Sequence, residues 1–336
     1  MKKITTILAV VILVIVVIGG LFFYKQFQLK NLGEITYGWN TWPGVLPYLV
    51  AYDQGFFKEE GLDIKMIEEK SYADMLNDLI DDKIDFSGDL TLMDIVEKVG
   101  KGAELKVVLV TDYSNGADGI VAKKEIQNIS ELKGKKVAVE KGTLGEYLLY
   151  DALEKNDLNL SDILEINISA QESAQAFIRG EVDAAVTYEP DYSKAVEQGN
   201  GWRIYTSADS PGLIIDVLAF KNDFINHNPK KVVAVIKAYF KAMNFIEVNS
   251  DQAYEIGAKY FKILPNEFKE QYLGLKQVNF EDNLNMMSYR NSNDSLHFQI
   301  KDTYDFLKGK NIIQQEIDST KIIDPQFIRT IKINYN

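Results

Sequence analysis

Two periods of apolar spacing alternate along the chain from about residue 34 onward. Short apolar runs at 34–39, 62–67, 84–87 and 105–111 read as strands, the last of them the unbroken "LKVVLVT". Between them, 43–57, 71–82 and 91–100 carry apolar residues at helical spacing. A second, similar set follows, with strands at 136–140, 163–168 and 182–187 and helices at 143–156, 172–180 and 190–198. One more strand is expected at 213–220, and from Pro229 the pattern is mainly helical, including 230–248, 252–261 and 294–307. Val- and Leu-rich strands separated by helices predict an α/β protein with parallel sheet buried on both faces. Two turn-rich stretches, "DYSNGAD" at 112–118 and "SADSPG" at 207–212, each leave one β-rich run for another. They are either ordinary surface loops or crossings that insert a middle lobe between the halves of another.

The amino terminus follows a different rule. Residues 4–24 are uncharged and dominated by Ile, Val and Leu, with Lys2 and Lys3 ahead and Lys25 and Lys30 behind. Twenty helical residues rise about 30 Å, the thickness of a hydrocarbon core, whereas a secretory signal usually has only about 7–15 apolar residues. Gly19 and Gly20 are the sole small-residue cleavage candidates, and Val17 and Ile18 before them are bulky. The reading is an uncleaved transmembrane anchor over 1–30, with a signal segment as the alternative. Lysines ahead of the span place the body outside the cytoplasm.

Composition narrows the chemistry. The 336 residues suffice for about two domains at roughly 150 each. With no cysteine, disulfides, thiolate nucleophiles and cysteine–metal sites are excluded, and two histidines seventy positions apart exclude a histidine-rich metal centre. The net charge of −12 speaks against nucleic acid, which needs a basic face. No cofactor or metal is expected.

The most informative stretch is "GWNTWPGVLPYLVAYDQGFFKEEGLDI" at 38–64. A strand ends at Trp39, Pro43 suits a first helical position, and the loop between them lies where open α/β sheets bind ligands. Trp39 and Trp42 either plug the sheet end or face a ligand. This segment resembles the nitrate/sulfonate/taurine family of periplasmic substrate-binding proteins, which also includes pyrimidine-precursor binders of thiamine metabolism. Further matches follow in order: "KVVLVTDYSNGADGIVAKKEI", "ISELKGKKVAVEKGTLGEYLLYDAL", "GEVDAAVTYEPDYSKA" and "PGLIIDVLAFKNDFINHNP". The likeness covers about 35–246.

The resemblance implies a type II periplasmic-binding-protein fold, two α/β lobes joined by two crossovers and preceded by the hydrophobic helix. Residues 34–112 would begin the first lobe, 113–211 form the second, and 212–336 complete the first with C-terminal helices. It implies an extracytoplasmic solute-binding component of an ABC importer, not an enzyme, that is monomeric and serves a permease and its ATPase. A ligand-sensing receptor with the same fold and a pyrimidine-precursor enzyme are the alternatives. The related synthases use histidine and cysteine, and the matched region before His227 has neither. By motif, Trp39 and Trp42 match a cleft-lining loop, Thr143 and Leu144 a ligand-receiving loop, Glu189 a strand-end "TYEP" and Asp216 the "DVL" crossing. Thr143 could equally be only a helix cap.

Charge gives the last indication. Predicted strand ends carry Asp89, Asp112, Asp118, Glu140, Glu189 and Asp216, against Lys141 alone, and none of the four arginines lies in a predicted cleft loop. A nitrate or sulfonate receptor needs donors, preferably Arg. This set favours an amine-bearing or heteroaromatic ligand held by Trp39, Trp42 or Tyr113, with Asp89, Glu189 and Asp216 as acceptors.

Overall fold

The computed structural model describes residues 31–69, 71–288 and 295–331. The anchor or signal expected over 1–30 lies outside them. Among the described residues no helix is long and apolar enough to cross a membrane.

The strands are β1 (Gly33–Trp39), β2 (Leu62–Glu68), β3 (Phe86–Thr91), β4 (Leu105–Ser114), β5 (Asp118–Lys123), β6 (Lys136–Val139), β7 (Leu164–Asn167), β8 (Ala184–Tyr188), β9 (Gly201–Thr206), β10 (Ile215–Lys221) and β11 (Leu275–Gln277). They form two sheets, ordered β11-β4-β10-β3-β1-β2 and β7-β6-β8-β5-β9. β1 pairs in parallel with β2 and β3, and β6 with β7 and β8.

The sheets are nevertheless mixed, which corrects the expectation of parallel sheet. β10 runs antiparallel between β3 and β4, and β5 antiparallel between β8 and β9. The cause is the connectivity. The chain leaves the first sheet through β4, enters the second as β5, and returns from β9 into β10, so each incoming strand runs against its neighbours. Residues 115–117 and 207–214 make these two passages. They are tied side by side: the Ser114 and Ser207 hydroxyls meet at 2.7 Å, and the Gly116 N–H donates to Ser207 Oγ at 2.7 Å.

The helix expected at 43–57 is broken in three. A 3₁₀ turn at Pro43–Val45 leads into the helix Leu46–Asp53, and Gly55, at φ +77°, turns the chain into Phe56–Glu59. A left-handed residue ends a helix, and glycine takes that conformation without strain.

β3 also departs from the pattern. It begins later than expected, and all six residues of "FSGDLT" are buried despite their polarity. Beneath it, Tyr37 and Phe86 stack with ring centroids 4.9 Å apart, and Tyr48 lies 5.1 Å from Tyr37. A Cβ at Gly88 would stand 2.0 Å from the Tyr48 ring, so only glycine lets this aromatic layer approach the strand. The strand is thereby held rigidly at the sheet centre, where its polar side chains serve the cavity described next.

Candidate functional site

A cavity of about 740 Å³ lies between the two sheets. Its walls come from strand ends: Asn40 and Trp42 follow β1, Asp89 and Thr91 lie on β3, and Asp216 opens β10. From the second sheet come Asp118 at the start of β5, Glu140 to Gly145 after β6, and Thr187 and Tyr188 closing β8. Ligands of open α/β sheets bind at this rim, beyond the carboxyl ends of the parallel strands. Trp42 reaches across and meets Tyr188 edge to face, with centroids 5.9 Å apart. One aromatic wall therefore draws on both sheets.

Of the eight residues assigned to ligand contact from sequence, five line this cavity, Trp42, Asp89, Thr143, Leu144 and Asp216, and the strand-end residues Asp118, Glu140 and Lys141 join them while Asp112 does not. The other three of the eight lie outside the lining. Trp39 is buried and packs edge to face on Tyr260, 5.8 Å away, which is the plugging role weighed for it. Tyr113 points its hydroxyl at Met286 Sδ, 3.0 Å away. Glu189 is 3% exposed and accepts from Arg203 at 3.0 Å and from the Ser193 hydroxyl at 2.8 Å. The Arg203 guanidinium in turn lies 4.4 Å from the Tyr192 ring centre. Sequence reasoning missed Tyr72, Asp94 and Tyr188. Tyr72 and Asp94 look like ordinary helix residues, yet Tyr72 donates to Asp94 at 2.8 Å and Asp94 accepts from Thr91 at 2.5 Å.

The electrostatics are dominated by buried acids. Burial pushes Asp89 and Asp118 each up to about 7, partly opposed by the hydroxyls of Ser87 and Ser114. Asp112 and Asp216 are raised as well, first by burial and then by the other acids of the group. Desolvation disfavours a charged carboxylate, and like charges nearby add to it. Asp89 Oδ2 and Asp118 Oδ2 are buried with no hydrogen-bond partner. Buried acceptors are normally satisfied, so these two mark positions for donors brought by something else.

Cations are present only at the margin. Lys98 and Lys101 belong to the lining beside the expected Lys141, but each faces an acid: Lys98 and Lys101 face Glu97, and Lys141 sits 2.5 Å from Glu165. Among the described residues no arginine or histidine lines the cavity.

The loop before the helix Leu144–Glu154 tells the same story. Thr143 caps that helix, its hydroxyl accepting from the Gly145 N–H at 3.2 Å and donating to the Glu140 carbonyl at 2.7 Å. Glu146 reaches back to accept from the Gly142 N–H at 2.7 Å. Two of the N–H groups that could receive an anion are thus held by the chain's own oxygens. Thr143→Ala should cost about 1 kcal/mol of folding stability, read as a shift in the urea midpoint.

The sequence profile of the NMT1/THI5-like family matches residues 42–253. The chain belongs to that family. Its NMT1/THI5-like relatives include a protein of Bacillus subtilis (strain 168) named for binding aliphatic sulfonates, 28% identical over 307 residues, covering 89% of this chain and 88% of that one. The 4-amino-5-hydroxymethyl-2-methylpyrimidine phosphate synthase THI13 of Saccharomyces cerevisiae is 24% identical over 242 residues, 66% of this chain and 69% of the synthase. Among solved structures, the alkanesulfonate-binding protein SsuA from Xanthomonas axonopodis pv. citri, bound to MOPS, superposes with a TM-score of 0.72. It is 17% identical, with 87% of this chain and 98% of that one covered. The fold is therefore the mixed α/β periplasmic-binding-protein-like fold with two sheets. This NMT1/THI5-like chain places its cavity between those sheets and lines it with acids.

Proposed function

We propose that this chain is the extracytoplasmic solute-binding component of an ABC importer, and that it captures a small amine-bearing or heteroaromatic ligand between its two sheets. The two sheets then act as lobes, with the first made of 34–112 and 212–336 and the second of 113–211. Hinge rotation about the paired passages 115–117 and 207–214 would close them on the ligand. The observation that carries the reading is the pair of unpartnered buried oxygens, Asp89 Oδ2 and Asp118 Oδ2, facing one cavity from different sheets. A ligand that donates to both bridges the lobes and stabilises the closed form. The names of the sulfonate-binding relatives support transport; the acids in this cavity support a ligand of opposite charge. A membrane permease and a cytoplasmic ATPase are the implied partners. The binding protein itself acts as a monomer without cofactor, held at the membrane by the 1–30 segment or released after its cleavage.

Mass spectrometry of small molecules released from the purified, denatured protein tests this directly. An amine or nitrogen heteroaromatic is expected; release of a sulfonate would overturn the ligand class. With that molecule in hand, Trp42→Ala should weaken binding by about 1–3 kcal/mol in calorimetry if the indole stacks on it. A lowered melting temperature with unchanged affinity would assign Trp42 to packing alone.

A further inference from the structure

Asp112 stands directly behind the cavity wall. It is fully buried on β4 and is the cross-strand partner of Asp216 on β10, which does line the cavity. Cross-strand partners project to the same side of a sheet with Cβ atoms about 4.5–5.5 Å apart, so these two buried carboxyl groups are direct neighbours. Neither oxygen of Asp112 has a hydrogen-bond partner. Two ionised carboxylates are acceptors only, so their contact is repulsive unless one carries a proton.

The surroundings supply no positive charge to relieve it. Asp89 faces the pair from β3 and Asp118 from β5. Tyr48 approaches from the helix Leu46–Asp53, Tyr239 from Pro229–Val248 and Tyr272 from Pro265–Tyr272, and burial first, with Asp112 adding to it, raises the proton affinity of all three. The indole N–H of Trp42 is buried without a hydrogen-bond partner. Gly44 closes the space beside them: a Cβ there would lie 2.6 Å from Trp42 Nε1 and 2.8 Å from Asp112 Oδ2. A proton shared between the two acids removes the repulsion.

We propose that Asp112 and Asp216 form a carboxyl pair sharing one proton at neutral pH, with Asp112 as a positioning residue that holds the Asp216 carboxyl toward the cavity. The pair titrates as a unit in two separated steps, the first proton leaving readily and the second held far more tightly. Its existence is independent of the ligand. Its consequence for transport rests on the cationic reading above: a positive ligand arriving at Asp216 takes the place of the shared proton, which leaves to solvent. The pocket then exchanges one proton for one cation.

The test reads the pair without any ligand. Purified full-length protein in detergent, dialysed free of co-purified solute, is titrated in heavy water while the infrared carbonyl stretch of protonated carboxyls is followed. Wild type should retain the band of one carboxyl at about pH 8.5, above the value of about 7 at Asp89 and Asp118. In Asp216→Asn, the amide donates to Asp112, and the upper midpoint should fall by at least about one pH unit, a tenfold loss of proton affinity. Asp112→Asn should lower it likewise. Absence of the band from wild type at pH 8.5, or an upper midpoint unmoved in both variants, would overturn the shared proton. If neither variant folds, the wild-type titration alone decides between one retained proton and none.

Discussion

Asp89→Asn is expected to stabilise the ligand-free protein at about pH 8 and to leave it nearly unchanged near pH 4. The sign follows from linkage. An unfolded aspartate titrates at about 3.9, whereas burial holds Asp89 up to about 7 in the folded protein. Between those values the folded state keeps a proton that the unfolded state has lost, so stability falls as pH rises through this window and levels off above it. A shift of about three units corresponds to roughly 4 kcal/mol, at 1.36 kcal/mol per unit, for one carboxyl. Asparagine keeps the shape and still accepts from the Ser87 hydroxyl, which lies 2.9 Å from Asp89 Oδ1, but it cannot ionise. Urea midpoints of both proteins at the two pH values check it, with the slope unchanged. A variant less stable at pH 8 would show that Asp89 is paired rather than stranded, and one equally stabilised at both would show that ionisation of Asp89 is not the source of the gain. The expected gain also says what the site gives up: an unpaired acid in the sheet centre is a stability loss kept for binding.

Much of this architecture is legible in the sequence because it rests on apolar period. The alternation of Val- and Leu-rich runs with helical spacing places β1, β2, β4, β6 and β10 close to where they form, and the turn-rich stretches mark the two passages between sheets. What the apolar pattern does not predict depends on long-range partners. β9 is a strand with Arg203 in its middle, and that arginine is tolerable because it pairs with Glu189 and covers Tyr192. β5 belongs to a quoted motif but follows a turn signal, and its place is set by β8 and β9 on either side. β3 is the instructive case. Ser87, Gly88, Asp89 and Thr91 look like a turn, and no local rule predicts four such residues wholly buried. The structure accommodates them because Gly88 admits the Tyr48 ring and because Asp89 opens onto a cavity. Sites are where local pattern and tertiary use part company.

The same divergence separates the acids of the motif set into two kinds, and substitution should reveal it. Asp118 and Asp216 line the cavity without a basic partner, whereas Glu189 is engaged by Arg203 and Ser193. If the ligand is cationic, Asp118→Asn and Asp216→Asn keep shape and remove the charge it meets. Losing one partner of a buried charge pair typically costs about 2–5 kcal/mol, much of it from the partner left unpaired. Each variant should therefore bind at least tenfold more weakly, about 1.4 kcal/mol, in calorimetry with the solute identified by mass spectrometry. Glu189→Gln is the internal control. It strips Arg203 of its counter-charge, and because that guanidinium remains partly exposed the loss of folding stability should be about 1–3 kcal/mol. Affinity should stay within about threefold of wild type. For an anionic ligand the signs invert, since Asp118→Asn and Asp216→Asn would relieve repulsion and tighten binding. Weakening confined to Glu189→Gln would instead move the binding surface to the Arg203 face, away from the cavity.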